Sequence, residues 1–376
     1  MKVYFFKLII IFFSTLFSYL IFEISYSLLK INHYFDVKTI WFHESTDPIQ
    51  NIKFDKDVGY KISNIPSRFG AVTTDGELCS VGNMAGNNFG FPDSRDFSIT
   101  KKGSIKRIAV LGDSFTASQF TKTNWLNILE KKVNDNFLDS VVFMNFSVDG
   151  GGLGNWQSIV DNIIIKNNFE IDALVFAVLG DDLERKFMWK DDGLKKEQRK
   201  LAAGMSESWN QKLKPQTIDE LDAFFLDDYV ILSAQEVDKI EKGEWHFQIP
   251  LKFYLFEKIK NIIQNKIGNV QEAKASSEEI EKAKLISSLN KSCKKMNIPI
   301  LCISMLSDEN EVENFSTKIS ADFISDKPYN EAMASVSYDT NIKGDGHWNE
   351  KGTELFANSM YEDIVEWLKD KQIIQN

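Results

Sequence analysis

The 376-residue sequence predicts a three-layer α/β fold, in which a parallel sheet carries helices on both faces, with an N-terminal transmembrane helix and a partly helical insertion. Three observations predict it. From residue 107 onward, short apolar runs alternate with segments of helical periodicity. Residues 8–29 are almost continuously apolar. Residues 185–268 form a stretch longer than an ordinary connection between two elements.

Taken in order, residues 1–30 read as a signal anchor. At about 1.5 Å per residue, the apolar run spans a hydrocarbon core of roughly 30 Å. Lys2 and Lys7 precede it and few cationic residues follow closely, which holds the short tail in the cytoplasm and translocates the body. The run leaves through Tyr26, Ser27, Leu28, Leu29 and Lys30 without a small-x-small cleavage site, so the anchor is expected to stay attached. Residues 31–105 show no strong periodicity and contain the polar tract GNMAGNN at 82–88. They read as a juxtamembrane stalk and lead-in loops.

At 107–111 (RIAVL) the pattern becomes that of a buried strand, which ends in Gly112-Asp113-Ser114. Helical spacing follows at 125–133, a second strand at 141–144, a helix at 155–165 and a third strand at 173–179. The insertion, 185–268, carries Trp189, Trp209 and Trp245 and an amphipathic segment at 251–267, which reads first as a cap helix packed on the body, with a second membrane contact or a partner surface as the alternatives. A charged amphipathic helix at 276–296, a strand at 298–304, a short strand at 321–324 and a helix at 350–369 complete a body spanning 106–370.

Composition narrows the function. Lys plus Arg number 44 against 54 Asp plus Glu, a net charge of −10, the wrong sign for a phosphate-binding surface, so no nucleic acid is expected as a partner. The three cysteines, Cys79, Cys293 and Cys302, are too few and odd in number for a disulfide framework, and without a CxxC they make no zinc ribbon or thioredoxin-type redox site. One disulfide or three unpaired thiols remain open. The sequence has no GxxxxGK, HExxH, GxSxG or strand-borne GxGxxG, and calls for no cofactor and no metal.

What remains is a serine. Ser114 stands just past the carboxyl end of a strand, the edge where open α/β sheets bind ligands. Free N–H groups and the positive end of a helix dipole suit a nucleophile whose attack creates an oxyanion. A serine hydroxyl needs a base. Of the four histidines, His33 and His43 lie in the stalk and His246 in the insertion. His347 precedes the last helix, and Asp345 stands two residues before it, close enough in a loop to orient the imidazole.

These residues resemble the SGNH hydrolase superfamily, the GDSL-type esterases. Gly112-Asp113-Ser114 resembles the first sequence block, Asn145 to Gly152 the second, Leu179-Gly180-Asp181-Asp182 the third and Asp345-x-His347 the fifth. The resemblance covers roughly 86–370 without the insertion and implies a flavodoxin-like sheet. It implies that Ser114, Asp345 and His347 are catalytic and that Ser114 and Gly150 supply oxyanion-hole N–H groups. In the third block the family carries asparagine, where this chain has Asp181 or Asp182, an acid unable to donate when ionised. The two-residue spacing from acid to histidine is similar to that of alginate-type O-acetyltransferases. The implied activity is hydrolysis or transfer of an ester-linked acyl group, acetyl above all, on a glycan or cell-envelope substrate outside the cytoplasmic membrane. The missing asparagine leaves a non-catalytic glycan-binding or assembly protein as the alternative.

Overall fold

The structure, a computed structural model, describes residues 7, 13–22, 25, 39–44, 52–55, 57–73, 76–180, 182–185, 230–244 and 275–375. In chain order the first strands are β1 (Thr39–Glu44), β2 (Ile52–Asp55), β3 (Gly59–Ile62), β4 (Ser67–Thr73) and β5 (Leu78–Met84). β6 (Lys106–Leu111) leads into the short helix α1 (Ser114–Ala117), then α2 (Trp125–Asn136). β7 (Val141–Asn145) is followed by α3 (Leu153–Ile159), which continues as a π-helical stretch to Ile165, and then by β8 (Ala173–Leu179). β9 (Val230–Leu232) and α4 (Ala234–Glu241) lie within the insertion. The remainder is α5 (Ala275–Met296), β10 (Ile300–Met305), α6 (Glu309–Ile319), β11 (Asp322–Ile324), α7 (Lys327–Ser335), α8 (Glu350–Ser359) and α9 (Tyr361–Asp370).

Five strands form the expected parallel sheet in the order β7-β6-β8-β10-β11. This is the flavodoxin-like order, in which crossovers leave β6 and β8 in opposite directions and open a crevice at their carboxyl ends. The strands are near-continuous apolar runs because both faces are covered. Along β8, Leu174, Phe176 and Val178 enter one core with Trp156 of α3, Leu289 of α5 and Phe315 of α6. The alternate residues Ala173, Val175 and Ala177 enter the other, against Trp125 and Leu129 of α2, Phe356 of α8 and Leu368 of α9. Side chains alternate across a strand, so one sequence run serves two layers.

The segment 31–105 departs from the stalk expected of it. Its strands build a second sheet, β5-β4-β1-β9, with β2 and β3 as a separate hairpin. β1 runs antiparallel to β4 and parallel to β9, so the insertion supplies an edge strand to a sheet begun almost two hundred residues earlier. The physical reason is shared burial: Val58, Ile62, Phe69, Ala71 and Met84 belong to the same apolar core as Leu111 and Trp156. Arg68 of β4 fastens the insertion to this sheet, its guanidinium donating to Glu44 (2.5 Å), Asp238 (2.7 Å) and Glu241 (2.8 Å).

Among the described residues no helix is long and apolar enough to cross a membrane. The apolar run 8–29 is described only at 13–22 and 25, which are helical and exposed, so most of the expected anchor lies outside the described residues. So do His33, His246, the insertion's tryptophans and the segment 251–267. Cys293 and Cys302 are buried thiols rather than disulfide partners, and burial pushes Cys293 up to about 12.

Candidate active site

The crevice above β6 and β8 is where the chemistry gathers. Asp113 ends the turn after β6 and caps α1, its Oδ1 accepting the Phe115 N–H at 3.0 Å. Gly112 leaves no room for a side chain, since a Cβ there would meet Thr116 Oγ1 at 2.4 Å. The tight turn sets Ser114 at the start of the helix with its side chain toward the closing loop.

That loop is the turn between Ile342 and Trp348. Ile342 N–H donates to His347 O at 2.8 Å and Asp345 N–H to Ile342 O at 3.0 Å. Within it Asp345 forms a local side-chain turn: Oδ1 accepts the backbone N–H of His347 at 2.8 Å and faces His347 Nδ1 at 2.5 Å. The other ring nitrogen, Nε2, stands 2.8 Å from Ser114 Oγ. The structure therefore brings Ser114, His347 and Asp345 into one hydrogen-bonded chain across 233 residues of sequence. The imidazole is held by aromatic rings: Phe115 stacks on it at 4.9 Å, and Phe120 (5.0 Å) and Trp41 (5.5 Å) approach edge-on.

The electrostatics follow from these contacts. Burial alone would lower the His347 pKa, but the hydrogen bond and charge of Asp345, with smaller contributions from Asp149 and Asp113, hold it above its ordinary value. Burial pushes the Asp345 carboxyl up, and the His347 ring, its backbone N–H and the Trp41 indole outweigh that and keep it below the usual carboxylate range. Asp113 and Asp149 are both raised by desolvation, which the charges of His347 and Arg185 oppose. This arrangement can take a proton from a serine hydroxyl and stabilise the imidazolium that results.

The turns at 148–152 and 179–185 lie beside Asp113, joined to it through Arg185. Gly150 has φ +66°, in the left-handed region, and the turn closes through Gly151 N–H on Val148 O at 2.7 Å. Asp182 is fully buried, its Oδ2 accepting the Leu179 N–H at 2.8 Å and its Oδ1 lying 2.8 Å from Arg185 Nη1. The carboxylate is thus spent on holding the turn after β8 and on a cation. Asp181 lies outside the described residues.

Sequence reasoning missed two residues. In the sequence Arg185 reads only as the start of the insertion. Its Nη1 reaches Asp182, Gly151 O at 3.1 Å and Asp113 Oδ2 at 3.4 Å, so one guanidinium ties the Asp113-Ser114 turn, the glycine turn and the turn after β8. A signal existed: a cation three residues after a buried acid in a turn. Trp41 had none, because its contact, indole Nε1 to Asp345 Oδ2 at 3.1 Å, spans 304 residues. Trp348 is core, packed against Phe115, Tyr329 and Phe356. His43 is a buried histidine of β1, bonded to Ser67 at 3.3 Å and lowered by burial to about 4. Among the described residues no group of His, Cys, Asp and Glu side chains could hold a metal ion.

No family model matches this sequence, and no curated protein matches it. Among solved structures, the chain is similar to the psychrotrophic esterase EstA from Pseudoalteromonas sp., at 13% identity and a TM-score of 0.36, covering 70% of this chain and 99% of that one. It is similar to AlinE4, an SGNH-hydrolase family esterase, at 12% identity and a TM-score of 0.31, covering 71% and 99%. It is also similar to Axe2, an acetylxylan esterase from Geobacillus stearothermophilus, at 12% identity and a TM-score of 0.35, covering 70% and 96%.

Proposed function

We propose that this protein is a serine-dependent esterase or acyltransferase of the SGNH type, acting on O-acyl groups, acetyl above all, of a glycan or another cell-envelope molecule. One observation carries it: Ser114 Oγ lies 2.8 Å from His347 Nε2, and Asp345 Oδ1 2.5 Å from His347 Nδ1. Ser114 attacks the acyl carbonyl while His347 takes its proton. The oxyanion forms beside the N–H groups of Ser114 and Gly150, next to the start of α1. His347 then protonates the departing alcohol, leaving the acyl group on Ser114. Water, or a sugar hydroxyl, deprotonated in turn by His347, attacks that ester and releases the serine. The two outcomes differ in the acceptor and not in the residues. The apolar run 8–29 preceded by Lys2 and Lys7 supports an anchored protein with this site outside the cytoplasmic membrane.

The test is turnover of p-nitrophenyl acetate and labelling by a fluorophosphonate, on the full chain in detergent, with Ser114→Ala as control. The expected result is a label on Ser114 and hydrolysis that vanishes in the variant. A folded wild-type chain that takes no label and transfers no acetyl group to water or to an oligosaccharide would refute the proposal.

A further inference from the structure

The acid of the triad is held poorly by its own loop. Gly344 and Gly346 flank Asp345, and Gly344 has φ +74°, so the local backbone is free to choose other conformations. The two bonds that Asp345 makes to His347, one to the backbone N–H and one to the ring, both fall on Oδ1. Nothing within the loop orients Oδ2. The bond that does comes from Trp41 Nε1, at 3.1 Å.

Trp41 is well placed to act as a fixed anchor. It sits on β1, an inner strand of the second sheet, between β4 and β9. Its ring stacks on Phe69 at 5.4 Å and meets the edge of Phe120 at 5.2 Å. The same loop approaches this sheet twice more, through Lys343 on Glu77, in the turn between β4 and β5, at 3.1 Å, and through Gly344, where an added Cβ would meet Thr39 Oγ1 at 3.0 Å. The sheet built from 39–44, 67–73, 78–84 and 230–232 is therefore docked against the part of the chain that carries the catalytic acid.

We infer that Trp41 is a positioning residue, whose indole N–H fixes the Asp345 carboxylate and makes the second sheet part of the catalytic apparatus. The inference rests on the esterase or acyltransferase reading of the site. Trp41 acts on the chemistry through Asp345. An indole that anchors the acid aligns the imidazole for Ser114 without taking part in bond exchange.

The test is a double-mutant cycle of Trp41→Phe and Asp345→Ala in the full chain, read as acetyl-ester turnover and as the rate of Ser114 phosphonylation. Phenylalanine keeps an aromatic ring against Phe69 and Phe120 and removes the donor together with part of the indole's bulk, a loss the cycle cancels because both backgrounds share it. Alone it is expected to lower kcat about 10- to 100-fold, the loss of a hydrogen bond to a charged group, with KM unchanged. In the Asp345→Ala chain the same change is expected to cost about twofold at most, because the partner is already gone. Losses that multiply, or an unchanged kcat in the single variant, would overturn the inference. Should Trp41→Phe not fold, the indole N–H spectrum of 15N-tryptophan-labelled protein decides: Asp345→Ala is expected to move one of the eight indole resonances, and none moving overturns the contact. A wild-type chain inert to both reagents removes the catalytic role along with the proposed function, while a moved indole resonance would still report the hydrogen bond. The two failures are thus distinguishable.

Discussion

Replacing Asp182 by asparagine separates two accounts of the site. By resemblance alone, Asp182→Asn restores an amide donor for the oxyanion and should raise turnover, by up to about 10²–10³. The contacts predict the reverse. Asp182 uses both oxygens, one on the Leu179 N–H at 2.8 Å and one beside Arg185 Nη1 at 2.8 Å. An asparagine has one acceptor oxygen. Whichever way its amide is turned, the NH₂ faces a donor, at a fully buried position. An unsatisfied buried donor costs about 1–3 kcal/mol, and breaking a buried ion pair about 3–5 kcal/mol. Arg185 keeps Gly151 O and Asp113, at 3.1 and 3.4 Å, which places the sum in the lower range, about 2–3 kcal/mol. At about 2 °C per kcal/mol for a chain of this size, the thermal midpoint should fall by about 4–6 °C. Turnover should fall about tenfold as the Gly151 carbonyl and Gly150 beside it lose their support. Calorimetry and a p-nitrophenyl acetate assay of the same preparation measure both. An unchanged midpoint with a tenfold or greater gain in turnover would refute the reasoning.

Three further outcomes are expected. Because His347 must be neutral to accept the serine proton and its pKa is held above the ordinary 6.5, kcat/KM should fall as pH drops through a value above 6.5, and a limb below pH 6 in the pH–rate profile would contradict this. His43 is neutral and buried with its pKa lowered to about 4, so it stabilises the fold above pH 6.5 and loses that contribution as pH falls toward 4. His43→Phe should therefore flatten the acid side of the stability curve by up to about 3 kcal/mol, measured by urea unfolding at pH 7 and pH 4. Gly152→Ala should abolish turnover or prevent folding, since its Cβ would meet Asp182 O at 2.4 Å and the Arg185 Cβ at 2.7 Å. A stable, fully active variant by the same two assays would show that the wall can move.

The parallel sheet was legible because strands buried on both faces read as unbroken apolar runs: 173–179 (ALVFAVL) needs no partner to be recognised. The second sheet was not, because glycines interrupt its pattern where backbones meet. In β4 (SRFGAVT) a side chain at Gly70 would collide with Ser80 O at 2.2 Å, and in β5 one at Gly82 would collide with Gln119 O at 2.2 Å. Close packing deleted the periodicity that would have announced it. The serine, the histidine and the acid were recognisable because their local surroundings are themselves distinctive, a strand followed by a tight turn and an acid two residues before a histidine. Arg185 and Trp41 act through distance in space. An i, i+3 ion pair leaves a faint trace in sequence, and an indole 304 residues from its acceptor leaves none.

The distance between Ser114 and His347 also governs when activity can begin. The bond that joins them closes a loop of 233 residues, at a loop-closure entropy of about 5 kcal/mol, several times what a single hydrogen bond returns. Only the completed sheet and its helices can hold that loop shut. At roughly 5–20 residues per second, a ribosome delivers the histidine some 10–50 seconds after the serine. Throughout that interval Ser114 has no imidazole beside it to take its proton. A chain cut anywhere before the last loop lacks the histidine, so on the proposed reading of the site no unfinished copy is expected to turn over an ester.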